Sequence, residues 1–372
     1  MGAKRGARTL RAGAPKAPTM PPTPAAPRPR KSKPEEFVFA AAYLEHDHIL
    51  GMCAGLCGAG AELKWVYDRD RAKVRAFRAR FPRARVARAF DEILSDPAVR
   101  LVAAAGVPCD RGPTGCGVME AGKDYFCDKT PFTAMAQLKA ARATAARTGR
   151  KFFVYYSERV HVECAVRAGD LVREGAVGRV VQVLGLGPHR LRKASRPDWF
   201  FRRSKYGGIL CDIGSHQFEQ FLFYSGSGDA TVARAAVGNF ANPDKPELED
   251  FGEASLVGDN GASCYVRVDW LTPDGLSTWG DGRTVILGTE GYLELRKYVD
   301  VARGGRGDHL ILVDRKGERR FDLAGKVGFP FFGHLIGDCL HRTESAMTQA
   351  HTFKAAELCL KAQAAAERLF PL

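Results

Sequence analysis

The sequence of 372 residues contains no apolar run close to the roughly 18 residues that a membrane-spanning helix needs, so we expect no membrane partner. It also lacks the apolar core of a secretory signal peptide, and its ten cysteines include no Cys-x-x-Cys pair. These absences favour a cytoplasmic location and cysteines that serve as small buried apolar side chains.

Acidic side chains are absent from residues 1–34, which hold nine of the 56 basic residues and eight of the 20 prolines. The net charge of +14 is concentrated there, because the remaining chain is nearly balanced, with 47 basic and 42 acidic side chains. A segment rich in Pro, Ala and Arg cannot bury enough apolar surface to fold, so we expect a disordered tail. Nucleic-acid binding through the tail is the third-ranked function, and we expect no nucleic-acid partner for the folded body.

Short apolar segments alternate with helical segments up to about residue 157, which predicts a doubly wound parallel sheet over residues 35–157. Ligands bind such sheets at the carboxyl ends of the strands, and this rule selects the loops at 43–50, 68–71, 106–112 and 128–131. The predicted strands are Phe37–Ala42, Lys64–Tyr67, Leu101–Ala105, Tyr125–Cys127 and Phe152–Tyr156. The predicted helices are Gly51–Ala61, Arg71–Arg80, one around Glu92–Leu94, Gly115–Ala121 and Ala134–Thr148.

Residues 158–372 follow a different pattern, with alternating segments typical of an open, mainly antiparallel sheet. A helix over about Val162–Glu174 precedes them, and a last helix over about Ala350–Arg368 is expected to pack back on the first domain. We therefore predict an α+β second domain. Its predicted strands are Val180–Leu184, Val232–Val237, Ala254–Val257, Ser263–Val268, Thr284–Leu287 and Tyr292–Leu295.

The loop after the first strand lacks the G-x-G-x-x-G glycines that let backbone amides approach a pyrophosphate, and only Gly51 remains. Asp68 lies 17 residues beyond Gly51 at a strand end, where a carboxylate can bind a ribose or cap a helix. The run from Glu45 to His48 resembles a metal cluster by composition. Consecutive side chains point in alternate directions there, and no Cys or His motif stands nearby, so we expect no metal site.

Two further motifs carry candidate chemistry. Lys129 directly follows a core strand and could reach the cleft floor, although spacing alone favours a solvated lysine. Gly207 and Gly208 could let the chain pass close to a ligand. Asp212 and His216 follow them at i and i+4, so that on a helix the carboxylate could orient the imidazole as a base. A purely structural Asp–His contact is the alternative.

These motifs together resemble the Gfo/Idh/MocA oxidoreductases over nearly all of residues 36–372. The likeness lies in Asp128-Lys129-Thr130, where Thr130 stands in place of a proline, in the turn at 175–178, in the element at 207–216 and in the hairpin at 288–291. The resemblance implies an N-terminal Rossmann domain and a catalytic set of Lys129, Asp212 and His216. It also implies substrate contacts from Arg159, His189, Arg190 and Trp199. Cofactor contacts are expected from Leu44, His48, Gly51, Asp68, Arg69, Pro108, Asp128 and Lys129.

The resemblance further implies hydride transfer between a nicotinamide cofactor and a secondary alcohol of a sugar, an inositol or a related polyol. Asp68 favours NAD over NADP, since it would repel a 2′-phosphate, although adjacent Arg69 softens that preference. Two alternatives are a catalytically silent ligand sensor, which the missing glycines favour, and an NAD-retaining glycosidase or epimerase. We also expect a homo-dimer or homo-tetramer that covers the open sheet.

Overall fold

The first sheet has six parallel strands in the order β3-β2-β1-β4-β5-β6, in a computed structural model that describes residues 37–305 and 307–369. This is the predicted doubly wound sheet. The expected tail, residues 1–34, lies outside the described residues. The strands are β1 Val38–Ala42, β2 Glu62–Tyr67, β3 Arg85–Val86, β4 Val99–Ala104, β5 Asp124–Asp128 and β6 Phe152–Tyr155. The helices are α1 His48–Gly58, α2 Arg71–Arg80, α3 Phe90–Ser95, α4 Pro108–Glu120 and α5 Met135–Thr148.

Two of these helices begin earlier than predicted. α1 starts at His48 rather than Gly51, and α4 starts at Pro108 rather than Gly115. Proline suits the first turn of a helix, because its missing N–H would have no intrahelical partner there. The predicted ligand loop at 106–112 is therefore short, and most of it belongs to the first turn of α4.

The second sheet has nine strands in the order β14-β13-β12-β11-β7-β10-β9-β8-β15, and antiparallel pairs predominate as predicted. Its strands are β7 Val180–Pro188, β8 Ala230–Gly238, β9 Phe251–Gly258, β10 Ser263–Asp269, β11 Arg283–Gly288, β12 Gly291–Arg296, β13 His309–Asp314, β14 Gly317–Asp322 and β15 Glu367–Arg368. The accompanying helices are α6 Ser157–Val160, α7 Glu163–Arg173, α8 Arg203–Tyr206, α9 Ile209–Asp212, α10 Gly214–Ser225, α11 Pro330–His341 and α12 Gln349–Ala365. Among the described residues, no helix has the length and apolarity to span a bilayer.

The last long helix, α12, connects the two sheets. It packs against α5 and β6 on one side and against α9, α10 and β8 on the other. Its ends make specific hydrogen bonds, since Gln349 Oε1 accepts from the backbone of Phe152 and Gln363 Oε1 accepts from the backbone of Leu210. Because α9 leads into the candidate site, α12 fixes that site relative to the first sheet.

The hairpin at 288–291 joins β11 to β12 and packs on the turn at 175–178. Thr289 exchanges hydrogen bonds with the backbone of Arg179, and the backbone N–H of Glu290 donates to the carbonyl of Val177. A Cβ on Gly288 would lie 2.0 Å from the Val177 carbonyl oxygen, closer than any real contact. Glycine is therefore required at 288 by the approach of two backbones.

We expect Gly288→Ala to lower the free energy of unfolding by about 2 kcal/mol, because a backbone carbonyl cannot swing away from the added methyl group. Gly117→Ala, in α4 with no atom within 4 Å of the new Cβ, is the matched control. It should be neutral or stabilise the protein by about 0.5–1 kcal/mol. Denaturant unfolding of both variants measures the difference, and equal stabilities would contradict the packing argument.

Candidate active site

The loop between β1 and α1 is folded onto its own neighbours. The backbone N–H of Leu44 donates to Asp68 Oδ2 at 2.6 Å, and that of His46 donates to the carbonyl of Ala105 at 3.2 Å. The N–H of His48 donates to the His46 ring at 3.2 Å. Three amides in the position where a glycine-rich loop would contact a pyrophosphate are thus already engaged.

Asp68 is buried at the end of β2 and is not a helix cap. Its Oδ1 accepts from the backbone of Asp70 at 2.7 Å, while its Oδ2 accepts from Leu44. The cap of α2 is Asp70, which accepts from the backbone of Ala72. Each Asp68 oxygen keeps a second lone pair. Arg69 next to it is exposed.

Gly51 and Pro108 have structural reasons for their positions. A Cβ on Gly51 would lie 2.8 Å from the Tyr155 hydroxyl, so this glycine lets α1 pack against β6. Pro108 occupies the first turn of α4. Gly207 and Gly208 have positive φ, and added Cβ atoms would collide with side chains of Thr133 and Gln363. These two glycines serve packing within the protein, whereas the sequence had suggested close approach to a ligand.

Asp128 ends β5 with a fully buried carboxylate. Its Oδ1 lies 2.8 Å from His48 Nδ1, and its Oδ2 accepts from Arg111 at 3.1 Å. Burial alone would raise its pKa, but the charges of His48, Arg111 and His46 hold the pKa of Asp128 well below the usual range. The partner that the fold brings to His46 and His48 is thus neither a Cys nor a His but a carboxylate from a distant strand, which the sequence analysis did not consider.

Arg111 ties the ends of β4 and β5 together. This buried guanidinium, on the first turn of α4, donates to the carbonyl of Gly106 at 2.7 Å and also to the carbonyl of Lys129. Because it also pairs with Asp128, it holds both the last residue of β5, Asp128, and the next residue, Lys129. The Lys129–Thr130 peptide bond is cis.

Lys129 reaches across to the second domain. Its Nζ lies 2.5 Å from Asp212 Oδ1, and both side chains are at least nine-tenths buried. The expected contact between Asp212 and His216 is not formed as a hydrogen bond among the described residues, although the one residue between α9 and α10, Ile213, keeps a helical backbone. The carboxylate therefore pairs with the lysine rather than with the imidazole.

His216 is buried in α10, and its Nδ1 has no hydrogen-bond partner among the described residues. Burial lowers the pKa of His216 well below the usual range, against the opposing charge of Glu158. Glu158 itself receives Lys297 Nζ at 2.8 Å and Gln217 Nε2 at 2.9 Å. His216 is thus a neutral imidazole whose Nδ1 has no partner, and the nearby charge of Glu158 is offset by Lys297.

The four substrate candidates differ in what surrounds them. Arg159 is engaged, since it donates to Glu219 at 2.6 Å and lies 4.0 Å from the Phe223 ring. Arg190 binds the backbone carbonyls at 273, 274 and 276 and so fixes that loop. Burial lowers the pKa of His189 to about 4, against the opposing charge of Glu158, and the charge of Lys129 lowers it further.

Trp199 is the fourth candidate, and it contacts the first domain. Its Nε1 donates to Glu45 Oε2 at 3.3 Å, and Glu45 Oε1 lies 2.5 Å from Lys73 Nζ on α2. Trp199 belongs to the segment that follows β7, so this hydrogen bond joins the second domain to the β1 loop.

Sequence reasoning missed Arg111, Glu158 and Lys297. Glu158 follows β6, so the strand-end rule would have selected it had the rule been applied to that strand. Arg111 lies in the selected loop at 106–112 but was not singled out, because its partner is 17 positions away. Lys297 carried no local signal, because its partner is 139 positions away.

Comparison with known families gives two matches. The family model described as "Oxidoreductase family, NAD-binding Rossmann fold" matches residues 39–156, and that of the GFO/IDH/MocA C-terminal domain matches residues 165–294. A solved structure from Erwinia carotovora atroseptica SCRI1043, classed as an oxidoreductase, is 49% identical, covers 90% of this chain and 100% of its own, and has a TM-score of 0.87.

Two more distant relatives have named substrates. The D-xylose dehydrogenase of Paenarthrobacter nicotinovorans is 26% identical over 40% of this chain and 39% of its own length. A levoglucosan dehydrogenase, solved with NADH and levoglucosan, shares the fold at 17% identity, with a TM-score of 0.71 over 88% of this chain and 96% of its own. The curated relatives are matched over 39% to 66% of their own lengths.

Proposed function

Because this chain belongs to the GFO/IDH/MocA oxidoreductase family and carries its NAD-binding Rossmann-fold domain, we propose that it transfers a hydride between NAD and a secondary alcohol of a sugar or related polyol. The observation that carries the proposal is the buried Lys129–Asp212 pair beside His216, whose Nδ1 has no partner. Relatives that act on D-xylose and levoglucosan support the substrate class.

In this proposal His216 is the base, since its lowered pKa keeps the imidazole neutral at pH 7 and able to accept a hydroxyl proton. Lys129 anchors the reacting oxygen and stabilises negative charge on it. Asp212 positions the Lys129 ammonium and offsets its charge. This differs from the role expected from the sequence, in which Asp212 oriented His216.

The residues present fit a dinucleotide at its two ends. The carboxylate of Asp68 would accept from the adenosine ribose, and the orphan nitrogen of His216 lies with Lys129 at the other end of the cleft. The middle differs from a glycine-rich loop, because the amides of Leu44, His46 and His48 are engaged. When bound, the nicotinamide supplies the hydride acceptor or donor.

A catalytically silent sensor is the second candidate. The engaged amides of the β1 loop favour it, since they remove the usual grip on a pyrophosphate. The two candidates differ in turnover with an oxidisable sugar and do not differ in ligand binding.

We also propose that any substrate contact of His189 and Trp199 is made from the second domain, where both residues lie.

Lys129→Met and His216→Asn should each lower turnover with NAD and a panel of aldoses and anhydrosugars by ~10²-fold or more. His334→Asn, a partly exposed histidine in α11, is the control and should leave turnover unchanged. Because the pKa of His216 is lowered, the wild-type rate of alcohol oxidation should hold from pH 8 to about 6.5 and fall only at more acidic pH. Near-wild-type rates in folded forms of both variants would contradict the assignment.

Arg69 gives the cleaner test of cofactor choice, because Asp68→Ala would also release two backbone amides of the protein. Wild type should bind NADH more tightly than NADPH by ~10-fold, about 1.4 kcal/mol, since Asp68 repels a 2′-phosphate. Arg69→Ala should widen that ratio by removing a nearby cation, whereas exposed Arg75→Ala should not. Fluorescence titrations measure all three proteins, and tighter NADPH binding by wild type would refute the preference.

We also propose that the outer face of the second sheet is covered by another copy of the chain. Val257, Leu287 and Tyr292 lie in one cross-strand row of this face and are 39% to 48% exposed. Light scattering should give a dimer or tetramer, and Leu287→Asp should shift it toward monomer. Val301→Asp, exposed outside the sheet, should not. A monomeric wild type at micromolar concentration would contradict the proposal.

A further inference from the structure

We propose that His46, His48 and Asp128 bind a divalent transition-metal ion of the zinc class, with one coordination position left open. Each of these residues offers a ligand atom, and the three atoms lie within 4.8 Å of one another. His48 Nδ1 is 2.8 Å from Asp128 Oδ1, and His46 Nδ1 is 3.6 Å from Asp128 Oδ2.

The spacing of the ligand atoms suits tetrahedral coordination. Zinc binds nitrogen and oxygen at about 2.0–2.2 Å, so neighbouring ligand atoms around it lie roughly 3.4 Å apart. His48 Nδ1 and Asp128 Oδ1 are 2.8 Å apart, and the three ligand atoms together lie within 4.8 Å of one another, so the set brackets this value. Small movements of two imidazole rings, each about a quarter to a third exposed, would bring the set into register.

The ligand types select the kind of ion. Two imidazoles and one carboxylate suit zinc and its neighbours in the first transition row, whereas magnesium and calcium prefer oxygen ligands alone. Three protein ligands and an open position are typical of zinc sites at which water or a substrate oxygen binds. His46 and His48 are two positions apart, so their rings meet on one side of the loop, with centroids 4.2 Å apart.

The surrounding groups hold the site without blocking it. Arg111 occupies Asp128 Oδ2, which fixes the carboxylate and leaves Oδ1 facing His48. The charge of Lys129, the next residue, is offset by Asp212. The one competing contact is the N–H of His48 on His46 Nδ1 at 3.2 Å. Binding of the ion through His46 Nδ1 would displace this contact, whereas binding through Nε2 would leave it in place.

The position of the cluster indicates what its open side would contact. The site lies at the carboxyl ends of β1 and β5, and the His48 ring is 6.5 Å from that of His216. An exchangeable oxygen ligand bound there would face the cleft. If the proposed function holds, a phosphate oxygen of the dinucleotide is such a ligand. The metal would then replace the missing amide contacts of the β1 loop.

The test is a titration of metal-free, full-length protein, purified without a histidine tag, with Zn²⁺ by calorimetry and with Co²⁺ by visible absorption. We expect one equivalent per chain and a Co²⁺ spectrum without the charge-transfer band of a thiolate, which separates this site from the ten free cysteines. His48→Ala and His46→Gln should each weaken binding by ~100-fold or more, while His334→Ala should not. Zn²⁺ should also raise the melting temperature of wild type but not of the two variants.

Equal affinity in wild type and His48→Ala would overturn the proposal, as would a thiolate band in the Co²⁺ spectrum. Melting curves of the metal-free variants show whether they fold, and His46→Gln provides a second test if His48→Ala does not. The titration needs neither cofactor nor substrate. A failure of hydride transfer and a failure of metal binding are therefore distinguishable.

Discussion

The buried ion pair between Lys129 and Asp212 is the contact on which the candidate site depends. It joins the end of a strand in the first sheet to a short helix of the second domain, and both side chains are at least nine-tenths buried. Removing one partner would leave the other charge buried and unpaired, which is far more costly than never having built the pair. Arg111 donates to the backbone carbonyl of Lys129 and so fixes the point from which the lysine side chain extends.

The other buried carboxylates of the site are also paired with cations. Asp128 has Arg111, Asp212 has Lys129, and Glu158 has Lys297 as a close cation. With each carboxylate matched, burial dominates the nearby imidazoles and lowers the pKa values of His189 and His216. The site thus keeps uncharged imidazoles, each able to accept a proton, in a region crowded with charges.

The fold could be predicted because its signals are local. Alternating strands and helices, the hairpin at 288–291 and the lysine after β5 can each be recognised within about a dozen residues. The pairing of Asp212 could not, because the i,i+4 rule considers only neighbours on one helix and Lys129 lies 83 positions away. The partner of His48 was likewise missed, since Asp128 lies 80 positions away and only the sheet brings the two together.

The hydrogen bond from Trp199 to Glu45 has a consequence for the movement of molecules past it as well as for the geometry of the site. It closes one edge of the cleft by joining the two domains, and Lys73 restrains the same carboxylate. A molecule that enters or leaves past that edge must first part the indole from the carboxylate. For such a molecule, breaking this contact would be one of the steps that set its residence time, in addition to its own contacts with the protein.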